Sequence, residues 1–389
     1  MQPDRVLTKP FVLTVLAEFA TCMSIGMLLV ILPVYVNDDL GAGSFGVALA
    51  IGAVSPMILL SQPIAGRIGD RKGRRILVVA GALIAAVSVA AYSFAGSLEL
   101  LIAFRLFTGL GEAMVLVGAA TIVTDLAPEN RRGEALSLYS LGLWAGLAIG
   151  PILGELVLGT DRFTEVWLLA AGFCIVSAAI GTLLPETTPQ RAPGEAAART
   201  RIIHPAAVGP GLVLALTVFG FAGLGTFAAL YARELGMDGA GAVFLVFSIV
   251  VVATRIVARQ APDRLGAKRA SGAALLLISA GLLTIGFLNT PAGLYAGTVV
   301  LAFGQALAFP ALMTLAVNGA PATERSSVVG TFTAFTELGF AIGALALGAV
   351  ASAVGYDGVF VVCAIGPLLG ALLLVRIAAP RAIVAVDPA

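Results

Sequence analysis

The stretch Gly66-Arg67-Ile68-Gly69-Asp70-Arg71-Lys72-Gly73-Arg74-Arg75 sets five basic residues and three glycines between two long apolar runs. Part of it returns 193 residues later, where Asp70-Arg71-Lys72-Gly73 is echoed by Asp263-Arg264-Leu265-Gly266. The same offset carries Ala127-Pro128 with Arg132 onto Ala320-Pro321 with Arg325, and Gly111-Glu112-Ala113 onto Gly304-Gln305-Ala306. It also carries Gly146 and Gly150 onto Gly339 and Gly343. Isolated matches are common in helices rich in alanine and glycine, but one constant offset across several loops and helices is not. The chain therefore reads as a duplicated unit.

Composition says what kind of unit. Of 389 residues 59% are hydrophobic and only 12% charged, about half the charge of an ordinary soluble domain. A soluble globular enzyme is excluded, and so is a disordered or fibrous chain, because the apolar residues form long aliphatic blocks. Apolar runs of spanning length lie near 11–36, 45–65, 76–95, 99–123, 134–158 and 163–184, and again near 208–230, 242–260, 270–288, 293–317, 328–353 and 358–379. Twelve such spans use about 240 residues at ~20 each and leave short loops. The expected fold is an all-α membrane protein with twelve transmembrane helices in two pseudo-symmetric six-helix bundles, residues 1–184 and 208–389. A linker at 185–207 joins them, marked by Pro185, Pro189 and Pro193, with helix expected around 196–203.

Basic residues set the orientation, since cytoplasmic loops retain them. With both termini inside, all but four of the 23 lysines and arginines fall on the cytoplasmic side. Arg162 and Arg233 fall outside, and Arg105 and Arg255 lie within spans. The first apolar run is about twice the length of a signal-peptide core and contains Glu18, so it reads as a retained helix. Arginine far outnumbers lysine amid abundant alanine and glycine, which points to a GC-rich bacterial genome and hence to a bacterial cytoplasmic (inner) membrane.

Several chemistries find no residues here. Net charge is +1, giving no field to attract nucleic acid. Cys22, Cys174 and Cys363 sit in apolar stretches as small hydrophobes, and the single histidine, His204, lies in a connector. No metal site, catalytic triad or phosphate loop is expected, hence no enzyme and no cofactor.

The Gly66–Arg75 loop, between spans 2 and 3, resembles the signature loop of the major facilitator superfamily. The resemblance implies a conformational latch on the cytoplasmic face formed by Gly66, Asp70, Arg71, Gly73 and Arg74, with Asp125 at the end of span 4 as partner of Arg74 and Asp263 as the echo in the second half. Span 4 carries Arg105-Leu106-Phe107-Thr108-Gly109-Leu110-Gly111-Glu112, similar to the superfamily's arginine-containing motif. Span 5 carries Gly146, Gly150-Pro151 and Gly154, resembling the antiporter motif of the twelve-span drug/proton exporters, with Ser137 and Glu155 standing where that motif has its first and last glycines. Span 1 has Gly26 and Leu32-Pro33-Val34, similar to a further exporter motif but lacking its second proline.

Charges inside spans cost at least ~2.5–3.5 kcal/mol unless they face water or a partner. Arg105 and Glu112, seven residues apart, share one helix face. They are expected to point at a central pathway, with a structural ion pair with another helix as the competing reading of Arg105. Glu18 stands a third of the way into span 1 with no cation a turn before it, and desolvation there disfavours its charge, which suits reversible protonation. Proton-coupling candidates are thus Glu18, then Glu112, then Glu337, with Arg105 beside them. In the superfamily spans 1, 4, 7 and 10 line the cavity, so the resemblance implies substrate contacts from Glu18, Cys22, Glu112, Phe221, Phe227, Gln305 and Phe309. Ordinary packing is the competing reading of the aromatic residues.

The function implied is proton-coupled efflux of small lipophilic or amphipathic compounds by alternating access, with the bilayer, protons and the substrate as partners and a monomer as the working unit. A metabolite importer or uniporter of the same fold, a lipid-translocating transporter and a non-transporting scaffold remain alternatives.

Overall fold

A computed structural model describes residues 6–128, 131–159, 162–187, 203–257, 265–320 and 324–377. Among them the regular structure is entirely helical: α1 (Lys9–Val34), α2 (Gly43–Gly52), α3 (Val54–Lys72), α4 (Arg74–Ala90), α5 (Leu98–Leu126), α6 (Arg132–Leu158), α7 (Phe163–Thr182), α8 (Pro205–Glu234), α9 (Gly241–Val257), α10 (Ala267–Leu288), α11 (Pro291–Asn318) and α12 (Arg325–Arg376). The helices start where capping chemistry allows. Thr8, Ser97 and Thr290 each accept a hydrogen bond from the first-turn N–H of Phe11, Leu100 and Gly293, and prolines stand in the first turns of α1, α8 and α11.

Among the described residues ten helical segments have the length and apolarity to cross a bilayer, and α2 with α3 forms one of them, Gly43–Lys72. Against the twelve expected spans two differences appear. Helix α9 is described for 17 residues, up to Val257, where the described residues end. Helix α12 runs for 52 residues but is interrupted at Gly355, whose φ of 79° favours a residue without a β-carbon. Its two arms, 325–354 and 356–376, hold the last two apolar runs of the sequence. Most of the 185–207 linker, including most of the expected 196–203 helix, lies outside the described residues, as does Asp263.

The duplication is visible in the packing. Helix α6 lies on α1 through glycines: a β-carbon on Gly146 would meet Cys22, and one on Gly150 would meet Gly26. In the second half α12 lies on α8 the same way, Gly339 against Ala215 and Gly343 against Phe219. Each of these residues is 193 positions beyond its counterpart. Gly111 against the Gly81 carbonyl is likewise repeated by Gly304 against the Ala274 carbonyl. The turn between α3 and α4 is made at Gly73 (φ 105°), and the turn before α10 at Gly266 (φ 80°), again 193 residues on.

Helices α1 and α8 are the most buried of the spans and touch one another. Large apolar side chains such as Leu60, Val87, Leu156 and Leu372 are more than 60% exposed, a surface that suits lipid. At the end opposite the Asp70 loop the halves are bonded together. Arg233 pairs with Asp38, the Glu155 carboxylate accepts from Ala240 N at 2.6 Å and Gly241 N at 2.8 Å, and the Ser44 and Tyr356 hydroxyls lie 3.4 Å apart. At the Asp70 end Arg74 bonds to Asp70 and Asp125, and His204 bonds to Glu324.

Candidate functional site

Helices α1, α3, α5 and α6 enclose a cavity of about 150 Å³ whose lining includes Glu18, Thr21, Cys22, Glu112, Leu143 and Leu147. The glycine stripe of α6 builds it. With no side chain at Gly142, Gly146 and Gly150, α6 closes on Val15, Cys22 and Met23 of α1, and its next face, Leu143 and Leu147, turns to the cavity.

Glu18 is 3% exposed. One oxygen accepts a weak bond from the Cys22 thiol at 3.7 Å, while the other has no hydrogen-bond partner. Beside it stands the Tyr139 hydroxyl, also buried and without a hydrogen bond of normal geometry. Thr21 is tied to Ser177 of α7 at 2.9 Å, fixing this part of α1 against the bundle. Glu112, across the cavity on α5, is half-buried and within electrostatic reach of Glu18, Glu337 and Arg105. Glu337, on the first arm of α12, sits by the Ser55 hydroxyl of α3, so it lies on the seam between the halves. Among the described residues no lysine or arginine is bonded to any of these three carboxyl groups.

Arg105 is committed elsewhere. Its Nε donates to the Ala50 carbonyl at 3.0 Å, and its other nitrogens reach Ile51 O and the Tyr92 hydroxyl at 3.5 Å. Those carbonyls lie at the junction of α2 and α3, where the helical ladder is interrupted and acceptors need donors. Tyr92, Thr108 and Ser88 continue a buried chain at 2.6 and 3.0 Å. Arg105 is thus held by backbone carbonyls and a hydroxyl, in place of the expected approach to the pathway and of the alternative ion pair. It touches Glu112 only through its field.

The aromatic candidates divide in the same way. Phe227 is fully buried and stacks on Tyr356 at 5.7 Å, so it offers no face to a cavity and the expected substrate contact is replaced by packing. Phe309 packs edge-on against Phe332 at 5.5 Å in a separate core cluster. Phe221 is half-buried and meets Phe247 of α9 at 5.2 Å, and Phe247 in turn meets Trp144 of α6 at 5.8 Å. The Arg255 guanidinium lies over the Trp144 ring, 5.5 Å from its centre. Gln305 is half-buried with its carbonyl oxygen unpartnered.

At the basic loop, Arg74 is buried with its guanidinium 3.0 Å from Asp70 and 3.3 Å from Asp125, and it also donates to Gly69 O at 3.1 Å. Glu186 accepts from Arg74 N at 2.7 Å and occupies the space where Gly73 would carry a β-carbon. Gly73 is thus held by backbone angle and by this carboxylate together. Gly66 has open space around it, and Arg71 is exposed in the last turn of α3, where a cation complements the helix end. Along the same contact between α1 and α6, a β-carbon on Gly26 would collide with Pro151 at 2.8 Å, and one on Gly154 would meet Ile31 at 3.1 Å.

Sequence reasoning missed Tyr139, Trp144, Phe247 and Glu186. A signal existed for Tyr139: it stands three residues before Gly142, on the face of span 5 that packs on span 1.

Residues 14–261 and 238–388 match the family model described as Major Facilitator Superfamily. An uncharacterised MFS-type transporter of Salmonella typhimurium is 28% identical over 370 residues, covering 92% of this chain and 94% of its own. The uncharacterised MFS-type transporter YhhS of Escherichia coli is 28% identical over 368 residues, covering 92% and 90%. Among solved structures, a bacterial homologue of the human lysosomal transporter Spinster, inward-facing and occupied, superposes with a TM-score of 0.80 at 16% identity, covering 95% of this chain and 97% of that one. The human organic anion transporter MFSD10 superposes at 0.72 with 23% identity, covering 96% and 100%.

Proposed function

The chain belongs to the major facilitator superfamily, and from that premise we propose that it is a proton-coupled exporter of small lipophilic or amphipathic compounds. The membership makes it a multi-pass membrane transporter. The finer reading rests on one observation above all: Glu18 and Glu112 face one cavity without a bonded cation, and Glu18 keeps an oxygen with no partner. A carboxyl group so placed exchanges a proton at low cost once the cavity is wetted, and substrate in the same space competes with that proton.

Alternating access supplies the rest. In this conformation the seam is sealed at the Asp38, Glu155 and Ser44 end, which the distribution of basic residues assigns to the outside, so the cavity serves the cytoplasmic side. Substrate enters from the cytoplasm or inner leaflet, the halves rock, and proton binding at Glu18 or Glu112 drives the return. Arg74, Asp70 and Asp125, bonded to one another within the first half in this conformation, are the residues of the cytoplasmic latch. The close glycine seam between α1 and α6 gives the exporter-type motif its physical role as a rigid wall.

Everted vesicles acidified inside are expected to accumulate members of a panel of cationic, neutral and anionic lipophilic fluorophores, and Glu18→Gln is expected to abolish this. Undiminished accumulation by that variant overturns the role given to Glu18. Accumulation only from the opposite gradient overturns export.

A further inference from the structure

Arg255 is the intramembrane charge that the mechanism above leaves unused. Its helix shows lipid a stripe made of Ile249, Ala253, Ile256 and Val257, all exposed. At 3.6 residues per turn Arg255 falls roughly 140° from the centre of that stripe, on the inward side with Phe247 and Val251. Its Nε is buried without a hydrogen-bond partner, and among the described residues no carboxylate pairs with it. The guanidinium instead crosses the seam between the halves to lie over Trp144. A cation in a span without an anion is costly, and such residues mark ligand pathways.

Depth can be read from the glycine contacts. Gly142 packs on Val15 and Gly146 on Cys22, so Trp144, between them on α6, is level with Glu18. Trp144 also sits between Leu143 and Leu147, which line the carboxylate cavity. The Arg255 guanidinium, lying over Trp144, therefore reaches about this level of the bundle from the second half. The first half holds carboxylates without a bonded cation, the second half holds a cation without a bonded anion among the described residues, and the rings of Trp144, Phe247 and Phe221 lie at the seam.

We infer that the substrate is an amphipathic zwitterion with an aromatic or lipophilic body, its anionic group held by Arg255 and its cationic group by Glu18 and Glu112. The assignment rests on the exporter reading and deepens it. A protonated amine at the carboxylates displaces the coupling proton, as antiport requires, whereas a simple anion would bind best when those carboxylates are protonated. Arg255 together with Trp144 sets which head group is accepted, since a planar guanidinium pairs in a fork with a carboxylate or phosphonate.

Binding separates this assignment from coupling. The probe is a coumarin-bearing amino acid, compared with its methyl ester (cation only) and its N-acetyl form (anion only). Affinity is read by quenching of Trp144 in protein whose other tryptophan, Trp167, is replaced by phenylalanine. Wild type is expected to bind the zwitterion at least tenfold more tightly than either relative. Arg255→Gln is expected to lose that tenfold for the zwitterion while binding of the ester is unchanged, which also reports that the variant is folded, and Arg255→Lys recovers part of the loss. Equal effects of Arg255→Gln on zwitterion and ester, or equal affinity of wild type for all three probes, overturns the inference. Failure of the exporter reading shows elsewhere, as zwitterion binding that is intact but moves no protons in vesicles.

Discussion

The two halves of the molecule share their packing and differ in their charge. Gly146 on Cys22 and Gly339 on Ala215 are one contact made twice, as are Gly150 on Gly26 and Gly343 on Phe219. Yet Glu18 and Glu112 of the first half correspond to Gly211 and Gln305 in the second, and Arg255 corresponds to Gln62 in the first. Duplication has therefore preserved what close helix approach demands at these glycines, while the intramembrane charges have diverged. On the proposed mechanism this asymmetric charge pattern would divide the tasks, with protons handled by the first half and the head group selected by the second.

The sharpest way to break this comparison is to move a charge across the pseudo-symmetry. Glu112→Gln, which makes the two halves alike at this position, is expected to lower proton-driven transport by about tenfold or more, equivalent to about 1.4 kcal/mol on the coupled step. Adding Gln305→Glu to that variant is expected not to restore it, because Gln305 is not among the residues lining the cavity that Glu18 and Glu112 share. Restoration measured in the same vesicles means that the halves are interchangeable and the division of labour is wrong.

A smaller effect tests the shared packing. A methyl group on Gly150 meets the Gly26 Cα at 3.0 Å, and one on Gly343 meets the Ala222 Cβ at 2.8 Å. Gly150→Ala and Gly343→Ala are each expected to cost about 1–3 kcal/mol by overpacking, seen as similar drops in the unfolding temperature of detergent-solubilised protein. A drop in only one half limits the symmetry to sequence. Smallest is the tie between the halves. Asp38 and Arg233 are both nearly half exposed, so Asp38→Asn is expected to shift the balance of conformations by about 0.2–1 kcal/mol. The shift should disappear in high salt and can be read as faster labelling of a cysteine placed at Ser44.

How far the sequence could be read depended on the kind of feature. The helical membrane architecture was legible because apolar runs of spanning length admit almost no other solution in lipid. The internal repeat was legible because a glycine where two backbones touch admits no substitute, so Gly111, Gly146 and Gly150 kept visible mates. The break at Gly355 was legible as the gap between the apolar runs ending at 353 and starting at 358, but not that the turn is confined to one residue and continues directly into the next helix. Side-chain roles were legible only in part. Glu18 could be singled out from its isolation along the chain, but Tyr139 at its side is distant in sequence.

Arg105 and Arg255 mark the boundary between the two sources of knowledge. Along the chain each is an arginine inside a span, costly for the same reason, and neither that cost nor the motif around Arg105 says which of them finds hydrogen-bond partners. Folding gives Arg105 the carbonyls of Ala50 and Ile51, exposed by an interrupted helix 55 residues earlier, and gives Arg255 only the face of Trp144 from the other half. Sequence alone determined that the chain spans a membrane, that it is duplicated, and that a few buried charges must matter, because burial energy depends on residue type and span length. Which charge is satisfied and which is left for a ligand was decided by tertiary structure, because hydrogen-bond acceptors are supplied by whatever backbone and side chains the fold brings within about 3 Å.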